Sequence, residues 1–390
     1  MRQAFILSFF RTLESKFQYA ILHHVEDVFS LNNDIDLIVD CSKKELKKFI
    51  SFFCTENNGY FLSHTVDSGT SRFNLIFLNE NQSFKIELDI TFSNHNLLDV
   101  NVKKLLKKKT KREVNGFLFS KIENNDEIEY YLDKKAFKKE TIDDNFAYFK
   151  DLNSKIDFNK LKIIFDKKSS KFKTFRFICR KKIQKLYLFF IRMYEKPSLT
   201  ICFLGPDGSG KSTIIEELRN QNPFVNFNYF HLKPTINKKS HAIINPHSDP
   251  SYSTFVSYLK LIYLIFQYNV NWILNIWTIK LTPTIIIFDR YFDDIIADPK
   301  RYRYGGSLKA IKIARMFVPK PAITFVLVAK SEIIYSRKKE VSKKELESQL
   351  ERYTNLCVDY KFIKIDVSNS IPQIANKVIL EILNRKKHAV

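Results

Sequence analysis

Glycine is scarce in this chain, 8 among 390 residues, so any place where glycines gather calls for a reason. Cysteine is used five times, at Cys41, Cys54, Cys179, Cys202 and Cys357, with no close pairs. That spacing argues against a disulfide framework or a zinc site and fits a reducing cytosol. The apolar start, Met1 to Phe10, runs into polar, patterned sequence without a small-residue cleavage site, so it does not read as a signal peptide. A long uninterrupted apolar run is also missing. The nearest approach, Phe255 to Ile279, contains Lys260, Gln267, Asn269, Asn271 and Asn275, which fits a long helix packed on a sheet better than a membrane span. No internal repeat is evident.

What is present is ample apolar material, 45% of residues, and a length that favours two domains. The net charge is +22. Drift of the whole composition toward Lys, Asn, Ile and Phe and selection by an anionic partner explain that excess about equally well, so local clusters carry more information. One is KKLLKKKTKR, Lys103 to Arg112; the other, Lys167 to Tyr194, holds ten Lys or Arg and no acid. In the second, Phe175, Ile178, Leu186 and Phe189 recur near helical spacing, which predicts an amphipathic connecting helix over 166–196. It is either a linker resting on a domain or a surface that docks on an anionic membrane, with nucleic acid the weaker candidate.

Residues 1–165 read as a smaller mixed α/β domain. Leu13 to Val28 has helical spacing. Asp34 to Asp40 is a short strand, and Ser42 to Phe53 a helix opened by a Ser42/Glu45 capping box. Phe73 to Leu78 and Phe84 to Phe92 read as a hairpin, and the remainder to 165 as charged helices and loops. Within DIDLIVD the carboxylates of Asp34 and Asp36 share a strand face, and Asp89 lies in FKIELDITF opposite that strand's apolar residues. Two acids on one strand and a third on a neighbour form a two-Mg²⁺ scaffold of the kind used in nucleotidyl transfer.

From 197 to 390 strands and helices alternate, predicting a parallel sheet covered on both faces: LTICFLG, FNYFHL, TIIIFDR, PAITFVLVA and KFIKIDV. Three of the eight glycines fall within six residues, in GPDGSGKST from Gly205 to Thr213. It matches G-x-x-x-x-G-K-[ST] between a strand and a helix, the context that gives the pattern meaning. Gly205, Pro206, Asp207, Gly208, Ser209 and Gly210 form a loop whose N–H groups face phosphate oxygens. Lys211 neutralises the β- and γ-phosphates, and Ser212, followed by Thr213, is placed to ligate Mg²⁺. The expected ligands are therefore ATP and Mg²⁺. Asp289-Arg290-Tyr291 ends the third strand, where an Asp can hold Mg²⁺ or accept a proton and an Arg can grip a phosphate. Arg337, Lys338 and Lys339 end a helix after the fourth strand and are candidates for charge delivered by a lid. Arg301 and Arg303 are further candidate acceptor contacts.

The order G-x-D-G-x-G-K-S-T, then D-R-Y, then an Arg-bearing lid helix, then a short strand and closing helix resembles the thymidylate kinase family. It covers roughly Pro197 to Val390. The resemblance implies a five-stranded parallel sheet, a phosphotransferase activity, an acceptor contact at Asp207, an acceptor-phosphate contact at Arg290 and a lid arginine at Arg337. Two stretches depart from the family. HLKP, His231 to Pro234, stands where an Arg-Glu-Pro segment is usual, so Lys233 takes the basic role, and FDDIIADPKRYRYGG replaces the Ser…Ala-Tyr-Gln pattern. The donor half is kept and the acceptor half rewritten, as in divergent thymidylate kinase-like proteins associated with bacterial surface polysaccharides. The expected acceptor is thus a nucleoside monophosphate or a sugar-like intermediate. The N-terminal YAILHHVED…NNDIDLIVD…IELDI resembles the nucleotidyltransferase family, with His23, His24 and Val25 where that family carries Gly-Ser. The expectation is a cytoplasmic kinase, peripheral at the inner membrane face if the basic helix docks there, with a second copy of the chain a candidate partner. Two rivals remain: a nucleotidyltransferase regulated by its P-loop domain, and a non-catalytic basic adaptor.

Overall fold

The computed structural model describes residues 2–30, 34–67, 70–78, 83–92, 100–171, 175–195, 198–221, 227–232, 249–282 and 284–387. The chain divides into two compact units, with the principal boundary between Tyr194 and Glu195.

The first unit is built on a mixed seven-stranded sheet. Its strands are β1 (Tyr19–Ile21), β2 (Ile35–Val39), β3 (Gly59–Asp67), β4 (Thr70–Leu78), β5 (Ser83–Thr91), β6 (Thr110–Val114) and β7 (Phe117–Lys121). They lie in the order β3-β4-β5-β2-β1-β7-β6. Side chains alternate across a strand, and the sheet uses that alternation to feed two cores. Tyr19, Ile21, Leu37, Val39, Leu88 and Ile90 face a phenylalanine-rich core. Helix Arg2–Lys16 closes it with Ile6, Phe9, Phe10 and Leu13, and helix Lys43–Glu56 with Leu46, Phe49, Ile50 and Phe53. Each such side chain contributes about 1.5–3 kcal/mol on burial. The opposite face presents Ala20, Leu22 and Ile38 to Val102, Leu106 and Tyr130. By the same period of two, Asp34, Asp36 and Asp89 belong to this second face.

The capping box is formed as expected. Glu45 N–H donates to Ser42 Oγ at 3.2 Å, and Ser42 N–H donates to Glu45 Oε2 at 2.8 Å. Other expectations for this unit need correction. Leu13 to Val28 is not one helix: the helix ends at Lys16, and Tyr19–Ile21 becomes a strand buried on both sides. A short run of consecutive apolar residues fits either state, and the sheet decides it. The stretch expected as helices and loops also contains the β6–β7 hairpin. Its turn is Asn115-Gly116, both at positive φ (49° and 79°), the two-residue turn whose twist suits a hairpin. Residues Thr110 to Glu113 are exposed, and their Lys and Arg blunt this sheet edge. Residues 166–196, expected as one connecting helix, hold the end of helix Phe158–Lys171 and the separate helix Phe175–Glu195.

The second unit is a five-stranded, all-parallel sheet covered by helices. Its strands are β8 (Leu199–Leu204), β9 (Phe227–His231), β10 (Ile285–Asp289), β11 (Ile323–Val328) and β12 (Ile363–Asp366), in the order β12-β11-β8-β10-β9. β10 and β11 are buried along their whole length, as strands covered on both faces must be. The segment Phe255 to Ile279 lies in helix Thr254–Asn271, a π-helical turn Trp272–Ile276 and the turn Trp277–Ile279. Ser257, Leu261, Leu264 and Tyr268 form its buried face. Among the described residues no helix is long and apolar enough to cross a membrane. β8 is the first strand in sequence yet sits at the centre, with β9 and β10 on one side of it and β11 and β12 on the other. The connections diverge there and leave a crevice at the strands' carboxyl ends.

Candidate functional site

The loop from Gly205 to Gly210 leaves the end of β8 and enters helix Lys211–Gln221. Its glycines are there for space and backbone angle. Gly205 has φ +146°, and a Cβ there would meet the Leu327 carbonyl at 2.6 Å. Gly208, at φ +83°, lies against helix Ser331–Arg337 and Lys338, where a Cβ would meet the Ile334 carbonyl and Lys338 Cβ at 3.1 Å. The loop opens into a cavity of about 650 Å³ lined by residues 207–214 and by His231, Asp289, Arg290, Arg301, Arg337, Lys338 and the segment around Val367, Asn369 and Ile371.

Lys211 is buried and caps its own loop, donating to the carbonyls of Gly205 at 2.8 Å and Pro206 at 2.9 Å. Burial, helped by the neighbouring Arg290 charge, pushes its ammonium down to about 8 against the pull of Asp289 and Asp207. An ammonium held this way is short of negative charge, and an anion in the loop supplies it. Asp289 ends β10. Its Oδ2 accepts from Tyr229 at 3.1 Å and faces His231 Nδ1 at 3.6 Å. Its Oδ1 is buried with no hydrogen-bond partner among the described residues. Burial pushes this carboxyl up, but His231, Lys211 and Arg290 outweigh it and keep Asp289 below its ordinary value. A buried carboxylate oxygen left open in the cavity that Ser212 also lines fits a Mg²⁺ ion, since an unsatisfied acceptor in such a place is costly.

Arg290 is the most constrained residue of the site. Its φ is +72°, uncommon for a residue with a side chain, while its N–H donates to the Phe203 carbonyl at 2.9 Å. Such strain tends to be kept where it positions function. The side chain is buried, and its Nη1 donates to Asp294 Oδ2 at 2.8 Å. Asp294 also accepts from Tyr353 at 2.6 Å and Tyr302 at 2.9 Å, so its two oxygens are satisfied and Arg290 is fixed from behind. In front, Arg290 Nη2 and Arg301 Nη1 donate to the two oxygens of Asp207. Burial pushes the Asp207 carboxyl up. A hydrogen bond with Glu340 and the charges of Arg290 and Arg301 more than reverse this, holding Asp207 well below the carboxylate range. The same hydrogen bond raises Glu340.

Of the expected residues, the cavity thus gathers Asp207 to Thr213, Asp289, Arg290, Arg301, Arg337 and Lys338. Arg303 does not belong to that lining: it stacks 4.3 Å from the Tyr252 ring centroid and donates to the Pro250 carbonyl at 3.0 Å. Lys339 lies over Tyr335 rather than in the lining. Lys233 and Pro234 lie outside the described residues. Behind that lining, Asp294, Tyr302 and Tyr353, which fix Arg290, were unforeseen. Asp294 was signalled by its spacing of four from Arg290 on a helix start, whereas Tyr353 had no local signal.

The structure of a thymidylate kinase from Ehrlichia chaffeensis matches over 47% of this chain and 98% of its own length. The identity is 19% and the TM-score 0.31. No family model matches the chain, and no curated protein does. None of these comparisons bears out the nucleotidyltransferase resemblance of the N-terminal residues.

In the first unit the three acids do meet: β2 and β5 run parallel with Asp36 opposite Asp89. Protein cations meet them there. Arg72 Nε and Nη2 donate to both oxygens of Asp89 at 2.7 Å, and Nη2 lies 3.4 Å from Asp34. Lys134 donates to Asp36 Oδ1 at 2.8 Å, and His23 Nε2 lies 3.0 Å from Oδ2. Burial pushes Asp36 up, yet His23 and Lys134 hold it well below the usual range. Asp34 is raised by burial and by repulsion from Asp36 and Asp89. Among the described residues no group of three or more His, Cys, Asp or Glu side chains is arranged to hold a metal ion.

Proposed function

We propose that the second unit is an ATP- and Mg²⁺-dependent phosphotransferase whose acceptor carries an anionic group, as a nucleoside monophosphate or a sugar phosphate does. The observation that carries this reading is the pair Arg290 and Arg301, held on either side of one carboxylate within the cavity that contains Lys211. Two guanidiniums that converge so closely can clamp one phosphate by charge-assisted bonds. The P-loop N–H groups and the start of helix Lys211–Gln221 cradle the donor phosphates, and Lys211 neutralises them. Ser212 and Asp289 hold Mg²⁺, which when bound shields charge between the donor phosphates. Arg337 and Lys338 bring positive charge to the same cavity from the helix packed on Gly208. Asp294, Tyr302 and Tyr353 keep Arg290 in place while its contact with Asp207 is exchanged for the acceptor. Asp207 then serves as the exchangeable partner of Arg290 and Arg301.

The test is ATP turnover by the full chain with a panel of nucleoside monophosphates and sugar phosphates. Lys211→Ala is expected to lower turnover about 10²–10³-fold, the usual loss of a transition-state charge contact. Unchanged turnover in Lys211→Ala, together with loss in Asp34→Asn, would transfer the activity to the first unit and end this reading.

A further inference from the structure

Helix Phe175–Glu195 has an outer face that the fold does not account for. Its 21 residues span about 31 Å at the ordinary rise of a helix. Among its described side chains Leu188 is buried, and Lys181 lies 4.5 Å from the Phe137 ring centroid, which marks the side turned toward protein. Placed at 100° per residue, Ile178, Ile183, Leu186, Phe189, Phe190 and Met193 fall within an arc of about 140° on the other side. All six are exposed, Ile183 at 69% and Leu186 at 59%. Lys182 projects within that arc, Lys185 lies at one border and Arg180 beyond the other, and all three are exposed. Not one acid occurs between Lys167 and Tyr194.

We infer that this face is a docking surface for an anionic phospholipid bilayer. Charge and shape together select that partner. An exposed arc of branched and aromatic side chains seeks an apolar medium, and the lysines around it seek negative charge at the boundary of that medium. A nucleic acid satisfies only the lysines and leaves six apolar side chains in water. A second copy of the same face satisfies only the apolar arc and brings like charges together. The helix lies in the interface plane with its apolar side among the acyl chains and its basic flanks at the headgroups.

The experiment is flotation of the full-length protein with vesicles of phosphatidylcholine alone or with 30 mol% phosphatidylglycerol, a fraction chosen to be about that of an anionic leaflet. Binding to the anionic vesicles is expected to exceed that to neutral ones by about 10-fold or more and to weaken with added salt. Leu186→Asp with Phe190→Asp, and separately Lys182→Glu with Lys185→Glu, are each expected to reduce binding by about 10-fold or more. Both pairs sit at exposed positions, and unchanged circular dichroism confirms the fold. A Trp placed by Leu186→Trp is expected to shift its emission to the blue on anionic vesicles.

Failure to float with anionic vesicles overturns the proposal. So does retention of full binding by the Leu186→Asp, Phe190→Asp pair, because the surface is then purely electrostatic and suits a polyanion. A dimer in sedimentation velocity that this pair dissociates, without vesicle binding, assigns the face to a second copy instead.

Discussion

Two carboxylate clusters lie in the two units, and they differ in what neutralises them. At the end of β10, Asp289 keeps one buried oxygen with no hydrogen-bond partner among the described residues, while Lys211 donates to its own loop's carbonyls. At the β2–β5 pair, Arg72 and Lys134 donate to the acids, and Asp36 Oδ2, likewise without a hydrogen-bond partner among the described residues, lies 3.0 Å from His23 Nε2. The first arrangement is electrostatically incomplete and suits a ligand that brings its own charge. The second is closer to complete as it stands. Acid residues in a metal-like pattern therefore say little until their counter-charges are known, because an internal ammonium or guanidinium can occupy the role a metal would take.

The comparison can be broken most directly at Asp289. Asp289→Asn is expected to lower ATP-dependent turnover by about 10²–10³-fold with little change in unfolding midpoint, since the replaced oxygen has no protein partner among the described residues. A large loss of stability with intact turnover would make the two clusters alike. The second test is Lys134→Met. It strands the buried Asp36 carboxylate and is expected to cost about 3 kcal/mol in urea unfolding of the first unit, with turnover per folded molecule unchanged.

Acid sharpens the same test. Asp36 is held below its ordinary value, so its contribution to stability is complete above about pH 4 and is lost as pH falls below that. Lys134→Met is expected to flatten this acid dependence. The smallest effect is at Arg301. Arg301→Ala removes one charged contact, and the acceptor KM is expected to rise about 10- to 100-fold, with ATP affinity unchanged. Equal weakening of ATP and acceptor would place Arg301 with the donor instead.

Much of the second unit is legible in sequence because its signals are local. The P-loop is nine consecutive residues, and β8, β10 and β11 are apolar runs that alternate with helical periods. The first unit is harder. Tyr19–Ile21 is too short for a period to show, and the sheet alone makes it a strand. The β6–β7 hairpin did carry a local signal, Asn115-Gly116, but the basic run before it resembles a solvated helix. An edge strand that uses Lys and Arg to repel pairing will show that appearance.

The site divides in the same way. Sequence alone determined that Asp34 and Asp36 share a strand face, that Gly205 to Thr213 form a glycine-rich turn between a strand and a helix and that Arg290 follows a strand's end. A period of two and a nine-residue motif are properties of neighbouring residues. Tertiary structure decided which charges meet. Arg72 reaches Asp89 across 17 residues, Lys134 reaches Asp36 across 98, and Arg301 reaches Asp207 across 94. No local periodicity encodes pairings at that separation. They exist because packing of sheet and helices meets the entropy cost of closing those loops and brings the partners together.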